Sequence, residues 1–422
     1  MKIKLIAKAK NLTSYSGLYP LLTFAITEAI TLVNETVFLK SKSMDNIKEK
    51  HILSCLSLEF IGGEKLKRIE LLQKDPLLKN VFGLNVTSPE NISRFLKSFD
   101  FESTVKMELV NMKLAKKAIK KANLRQITID IDSSVKNVEG NQEGAEKGYN
   151  PENKGNKCYN IQFAFCEEIK VFVGGYLRSG DTSTCNGAEE LVKSIVSVLG
   201  DSVDEITFRF DSGYFSEKIV KTIETLKQKY VIRAKGYHTL INNLRIQKDS
   251  LVWQNYKNGK EIATIITKPN NWEKECRFIV SRQKKDNLVD TPLDSFDGYD
   301  YYFFVTNQEI WTATDVIWFY EKRGNSENHI KESKYDFSVN SITLNSFWGN
   351  QALFQIQMMA YNLLILFKLT KEVITSELRE TAKTFRLKYI FVCGKINFGQ
   401  RKIILNLSED YAYKEIFFRL SS

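Results

Sequence analysis

At residue 126 the hydrophobic period of this chain changes. Upstream, apolar residues recur at intervals of three and four, as in 66–72 and 105–119, and never alternate for long. From Gln126 they alternate, with Ile127, Ile129 and Ile131 on one strand face and Thr128, Asp130 and Asp132 on the other. The arrangement returns in Ile206, Phe208 and Phe210, with Asp211 at the polar end of the opposite face. A chain that places carboxylates at the polar ends of two strands, with helical stretches between and around them, is constrained to an α/β architecture.

The order of elements follows from the same patterns. A strand ends on Asp132, a Gly/Asn-rich loop spans 140–155, and 159–165 with 170–177 read as a hairpin. A helix over 187–198, a strand over 206–211, a Ser212-Gly213 turn, a helix over 216–227 and a strand over 230–234 come next. Residues 236–306 then break into short alternating runs at 261–266, 277–281 and 301–305, which predicts a β-rich insertion. Helices are expected over 314–334, 345–369 and 376–393. The division is therefore a helical domain at 1–122, an α/β core at 123–235 and 307–370, the insertion at 236–306, and a helical C-terminal region at 371–422 suited to dimerisation. Thr87-Ser88-Pro89-Glu90 is a sharp helix start, with a cap hydroxyl, a proline at the first turn and an acid behind it. Gln355, Gln357 and Asn362 interrupt the most apolar helix, which reads as a buried helix rather than a membrane span.

Charge narrows the partner. Of the net +11, +10 lies in residues 1–125, which hold 22 Lys and Arg against 12 Asp and Glu. Such a segment is suited to meeting a polyanion, since basic surfaces bind nucleic acid by releasing counterions, although many basic proteins bind none. The six cysteines have no paired spacing, so neither a zinc site nor a disulfide framework is suggested, and the N-terminus has no signal-peptide core. A cytoplasmic protein without a membrane partner is expected.

The helix expected from residue 314 carries the most informative spacing. At about 100° per residue, with Tyr320 at zero, Arg323 falls at about 300°, Glu327 at about 340° and Lys334 at about 320°, with Lys331 on the edge at about 20°. A solvated charged face is the ordinary explanation of such a stripe. Its combination with two strand-end aspartates suggests more, because three carboxylates can hold two hard cations such as Mg²⁺ and leave positions open for phosphate and water. Asp130 and Asp132 point the same way, roughly 6.6 Å apart by strand rise, and pattern alone does not choose between them.

Tyr320-x2-Arg323-x3-Glu327-x6-Lys334 resembles the Tyr-Arg-Glu-Lys signature of bacterial insertion-sequence DDE transposases. The resemblance extends to Asp130-Ile131-Asp132-Ser133-Ser134, Gly148-Tyr149-Asn150-Pro151, Leu177-Arg178-Ser179-Gly180, Asp211-Ser212-Gly213-Tyr214, Ala360-Tyr361-Asn362-Leu363 and the N-terminal Ser88-Pro89-x2-Ile92-Ser93-Arg94-Phe95-Leu96, nearly the whole chain. It implies a ribonuclease H-like core with a β-rich insertion before the last acid. It also implies Asp132, Asp211 and Glu327 as catalytic residues and ligands of Mg²⁺, for which Mn²⁺ can substitute, with Asp130 in a supporting role. Tyr320, Arg323, Lys331 and Lys334 would contact DNA phosphates. The function implied is cleavage at the terminal inverted repeats of an insertion sequence and joining of the 3′ ends to target DNA. A homodimer would pair the two ends, and the protein would be associated with the bacterial nucleoid when bound to DNA. The alternatives are a metal-dependent nuclease that cuts without joining and a host-adopted DNA-binding protein on the same fold.

Trp253 and Trp272, in the insertion, could receive a flipped base, but a role in the small β core is the more frequent one. His329 is expected on the surface, since on a continuous helix it lies about 180° from Tyr320.

Overall fold

The computed structural model describes residues 3, 6–151, 153–235, 238–284, 295–296, 298–341, 344–372 and 380–422. Its centre is a 12-stranded mixed sheet. Strand β1 (Gln126–Asn137) runs parallel to β5 (Glu205–Phe210), which runs parallel to β6 (Lys229–Ala234). On its other side β1 pairs antiparallel with β2 (Lys157–Cys166), and β2 carries the short strands β3 (Phe172–Gly174) and β4 (Leu177–Ser179).

Strand β1 does not end at Asp132. Its parallel pairing with β5 stops at Ile131 opposite Phe210, while the antiparallel ladder with β2 continues from Asp132 opposite Phe163 to Asn137 opposite Cys158. The carboxylate thus stands where one neighbour leaves and the other stays, which opens the sheet edge beside it.

The β-rich run expected in the insertion forms β7 (Lys260–Thr267), β8 (Cys276–Lys284) and β9 (Tyr299–Thr306), preceded by a helix at His238–Ile246 that alternation did not foretell. These strands extend the central sheet: β9 pairs antiparallel with β6, β8 with β9 and β7 with β8. Residues 236–237, 285–294 and 297 of this run lie outside the described residues.

The two sheet faces bury different chemistry. Ile127, Ile129, Ile131, Ile206, Phe208 and Phe210 join one large core together with α1 (Lys48–Phe60), α2 (Phe101–Lys121) and α7 (Phe347–Thr370). Helix α2 starts on an Asp100 capping box, and Ser88 caps Pro89–Leu96 as its sequence suggests. Helices α3 (Ala188–Leu199) and α4 (Glu217–Thr225) pack beside one another. The opposite face lies under α5 (Ala313–Glu321) and α6 (Ser326–Asp336). There Val316 and Ile317 pack with Val231, Ile262, Ile279 and Phe304, so α5 rests on the strands of the insertion as well as on the core.

Helix α7 is long and apolar enough to cross a membrane, yet 89% of that apolar window is buried inside the protein. Its amides explain how. Asn362 accepts from Phe172 N at 2.9 Å and donates to Phe172 O at 2.8 Å, which imitates a neighbouring strand along β3. Gln351 accepts from Leu177 N, and Gln355 donates to Gly175 O and accepts from Asn111. Buried polar groups are tolerated only when hydrogen-bonded, and these turn an apolar helix into the edge partner of β3 and β4. The break between those strands needs Gly175: its φ is +139°, and a Cβ there would lie 2.2 Å from Gln162 O.

Beyond α7, where helix alone is expected, Gly394–Phe398 and Ile403–Leu407 form a hairpin, and the first of these strands pairs with Leu12–Thr13. Ser16 N donates to Val392 O at 3.0 Å, and buried Thr13 donates to Asp75 at 2.7 Å. Of the helix expected over 376–393, residues 376–379 lie outside the described residues; Ala382–Phe385 and the turn Arg386–Ile390 are helical.

Candidate active site

Asp132 and Asp211 emerge side by side where the pairing of β1 and β5 ends. Ser133 N donates to Asp132 Oδ1 at 2.8 Å, and Gly213 N to Asp211 Oδ1 at 2.9 Å, so each carboxylate is held by the turn or strand that follows it. The turn after Asp211 is itself pinned. Buried Arg178 donates to the carbonyls of Thr184 and Asn186 and to Asn160 Oδ1, and Cys185 in the loop so held donates to Gly213 O at 3.1 Å.

Across from them, α5 and α6 are separate helices. A 3₁₀ turn, Lys322–Asn325, interrupts the helix expected over 314–334 at Gly324, the residue with least to lose from leaving the α conformation. The stripe drawn on one continuous helix is therefore redistributed. Arg323 lies in the turn and reaches Asp132 Oδ2 at 2.7 Å. Tyr320, at the end of α5, packs its ring 4.7 Å from Phe304, and burial pushes its hydroxyl up to about 12. Glu327 is exposed in the first turn of α6. Lys334 donates to Val135 O at 3.0 Å, tying α6 to β1. Lys331 is exposed and lines a cavity of about 400 Å³ with Lys170, Tyr335 and Lys368, without a hydrogen bond or ion pair to the acids among the described residues. His329 is not on the surface as expected: it is 4% exposed, beside Phe165 and 3.8 Å from Glu167, because the 3₁₀ turn rotates α6 relative to α5.

The electrostatics of Asp132 reflect this setting. Loss of water raises its pKa to about 6; Arg323 pulls it down, and the nearby carboxylates of Asp211 and Glu327 push it up. Asp132 in turn raises Arg323 despite that residue's own burial. The ion pair favours both charges, but for the carboxylate desolvation is the larger effect. Asp132, Asp211, Glu327, Arg323 and Tyr320 form one electrostatic neighbourhood.

The donors are carboxylate oxygens, which suit a hard divalent cation. Among the described residues no three His, Cys, Asp or Glu side chains converge closely enough to hold a metal ion in this arrangement. Asp132 and Asp211 fit such an ion by chemistry and by their place on adjacent strands. Glu327, in the first turn of α6, acts on Asp132 through its charge.

Asp130, the other acid on this face, is 1% exposed and engaged by Arg209 of β5 at 2.5 and 2.7 Å. Sequence reasoning did not single out Arg209. The one signal was its place two residues before Asp211, on the polar face and opposite Asp130 in the parallel register. Trp253 stacks with Arg282, 3.9 Å from the ring centroid, and Trp272 stacks on Phe215 at 5.0 Å; both pack against the core.

No curated protein matches the chain. Among solved structures, a piggyBac transposase synaptic complex with hairpin DNA is 12% identical, with a TM-score of 0.48 over 88% of this chain and 79% of that one. The model of the family described as transposase DDE domain group 1 matches residues 1–422. It spans both strand-borne aspartates and the helical glutamate, and the chain belongs to that family of DDE transposases.

Proposed function

We propose that this transposase is encoded by a bacterial insertion sequence, cuts phosphodiester bonds at that element's terminal inverted repeats, and joins the freed 3′ ends to target DNA. The reading is carried by one juxtaposition: Asp132 beside Asp211 at the opening between β1 and β5, with the Arg323 guanidinium 2.7 Å from Asp132. Asp132, Asp211 and Glu327 would hold Mg²⁺ or Mn²⁺, which when bound supplies Lewis-acid activation of the attacking oxygen and stabilises the leaving one.

The chain's own groups account for the rest. Arg323 lies within reach of both acids' field and offers a planar set of donors to a phosphate at the same opening. Lys334 and Tyr320 flank that opening from α6 and α5, and the basic N-terminal region supplies grip on the duplex through its surplus charge. Two ends must be processed together, so a homodimer on DNA is part of the proposal, as is action at the nucleoid.

The test is cleavage of a labelled inverted-repeat end, paired with mobility-shift titration. Glu327→Gln removes a ligand charge at constant size, so cutting and joining should vanish while binding to the end survives. Wild-type cutting by this variant would end the assignment. Cutting by the wild type without strand joining would reduce the protein to a nuclease.

A further inference from the structure

Beneath the three acids lies a buried ionic cluster that takes no part in the chemistry above. Arg209, 0% exposed, is its centre. Its guanidinium donates to Asp130 through Nε at 2.5 Å and Nη2 at 2.7 Å, and through Nη1 to the carbonyl of Phe319, in the last turn of α5, at 2.5 Å. The Phe319 ring lies 4.9 Å from the same guanidinium. Glu167, directly after β2, stands 3.6 Å from Arg209, accepts from Asn325 Nδ2 at 3.0 Å, and faces His329 Nε2 at 3.8 Å.

The spacing relates this cluster to the site. Asp132 is two residues from Asp130, Asp211 two from Arg209, and Glu327 two from both Asn325 and His329. On a strand, residues two apart point to the same face, so the cluster underlies the acids on both strands and grips the helical turn on either side of Glu327. Stability alone does not explain such a pair, because well-packed apolar replacements of buried ion pairs are often neutral or stabilising. A two-pronged guanidinium fixes direction as well as distance.

We propose that Arg209, clamped by Asp130, is a positioning residue that anchors α5 and the 3₁₀ turn, the frame that carries Glu327 on the same side of the sheet as Asp132 and Asp211. The inference rests on the metal-site reading above and adds to it the residue that anchors the frame of the third ligand. Arg209 touches neither DNA nor metal in this role.

The experiment is a Mn²⁺ titration of the full-length chain, with free ion followed by electron paramagnetic resonance. Glu327→Gln should weaken binding about 10-fold or more. The apolar pair Asp130→Leu/Arg209→Met should keep the wild-type urea midpoint to within a small shift and lose the same factor. Combining it with Glu327→Gln should bring no further loss, since a ligand already misplaced cannot be removed twice. Arg209→Lys keeps the charge and loses the fork; it should show the same loss and serves if the apolar pair does not fold. If Glu327→Gln leaves Mn²⁺ affinity unchanged, the metal-site reading fails and takes this inference with it. If Glu327→Gln weakens binding but the Arg209 variants bind as wild type, or their losses add to that of Glu327→Gln, the positioning role alone is overturned.

Discussion

Replacing Asp132 by Asn should abolish cleavage and make the protein more stable. The carboxyl rises from an ordinary 3.8 to about 6 in the folded chain, chiefly by burial. About two pKa units correspond to about 3 kcal/mol between the charged and neutral forms. Because the folded value is raised, the associated stability is fully present below the unfolded pKa and is lost as pH rises through about 6. The wild type therefore lacks it at pH 8, whereas Asn, which cannot ionise, keeps it. Linkage gives a gain for Asp132→Asn of about 3 kcal/mol at pH 8, shrinking to about half of that at pH 5. Partial solvent access to the side chain makes these upper values. Urea unfolding of both proteins in chelator, at pH 8 and pH 5 and compared at equal denaturant slope, measures the difference; chelator is needed because a bound cation would stabilise the wild type selectively. A variant less stable than wild type at pH 8, or a gain of the same size at both pH values, would refute the account of Asp132 as a carboxylate held ionised against its surroundings.

Asn362→Leu preserves side-chain size but strands the N–H and C=O of Phe172, and should lower stability by about 2 to 5 kcal/mol in urea titrations. Gly175→Ala, with a Cβ 2.2 Å from Gln162 O and an unfavourable φ, should lower the thermal midpoint by several degrees or prevent soluble expression, read by differential scanning fluorimetry. Lys334→Ala should weaken binding to the repeat end and flatten the slope of log affinity against log salt by about one unit, with residual cutting still detectable.

The parts of this fold legible in the sequence are those with a strong local period. The strands at 126, 205 and 229 and the cap at Ser88 fall where alternation and cap chemistry put them. Three things were not local. Strand β1 continues to Asn137 because β2 keeps pairing with it, although Ser133, Ser134, Lys136 and Asn137 have no apolar rhythm of their own. The insertion joins the central sheet through β9 and β6, a choice of partner that no run of residues encodes by itself. The hairpin at 394–407 was hidden behind an expectation of helix, although Gly399 marks its turn. At the site, the residue types were visible but the geometry depended on Gly324, where a constant 100° per residue stops applying. That one break moves His329 inside and brings Arg323 onto Asp132. The engagement of Asp130 by Arg209 could be seen only from register, since only the parallel alignment sets the two opposite each other.

The pairing of Leu12–Thr13 with Gly394–Lys395 bears on the order in which the protein can be completed. A ribosome adds about 5 to 20 residues per second, so roughly 20 to 80 s separate the emergence of the two partners. Through that interval the N-terminal helices lack their strand partner, and for most of it they also lack α7, whose apolar surface they share. The earlier-made strand is thus locked only once the later one has emerged, and the nascent chain presents that surface to chaperones and proteases until then.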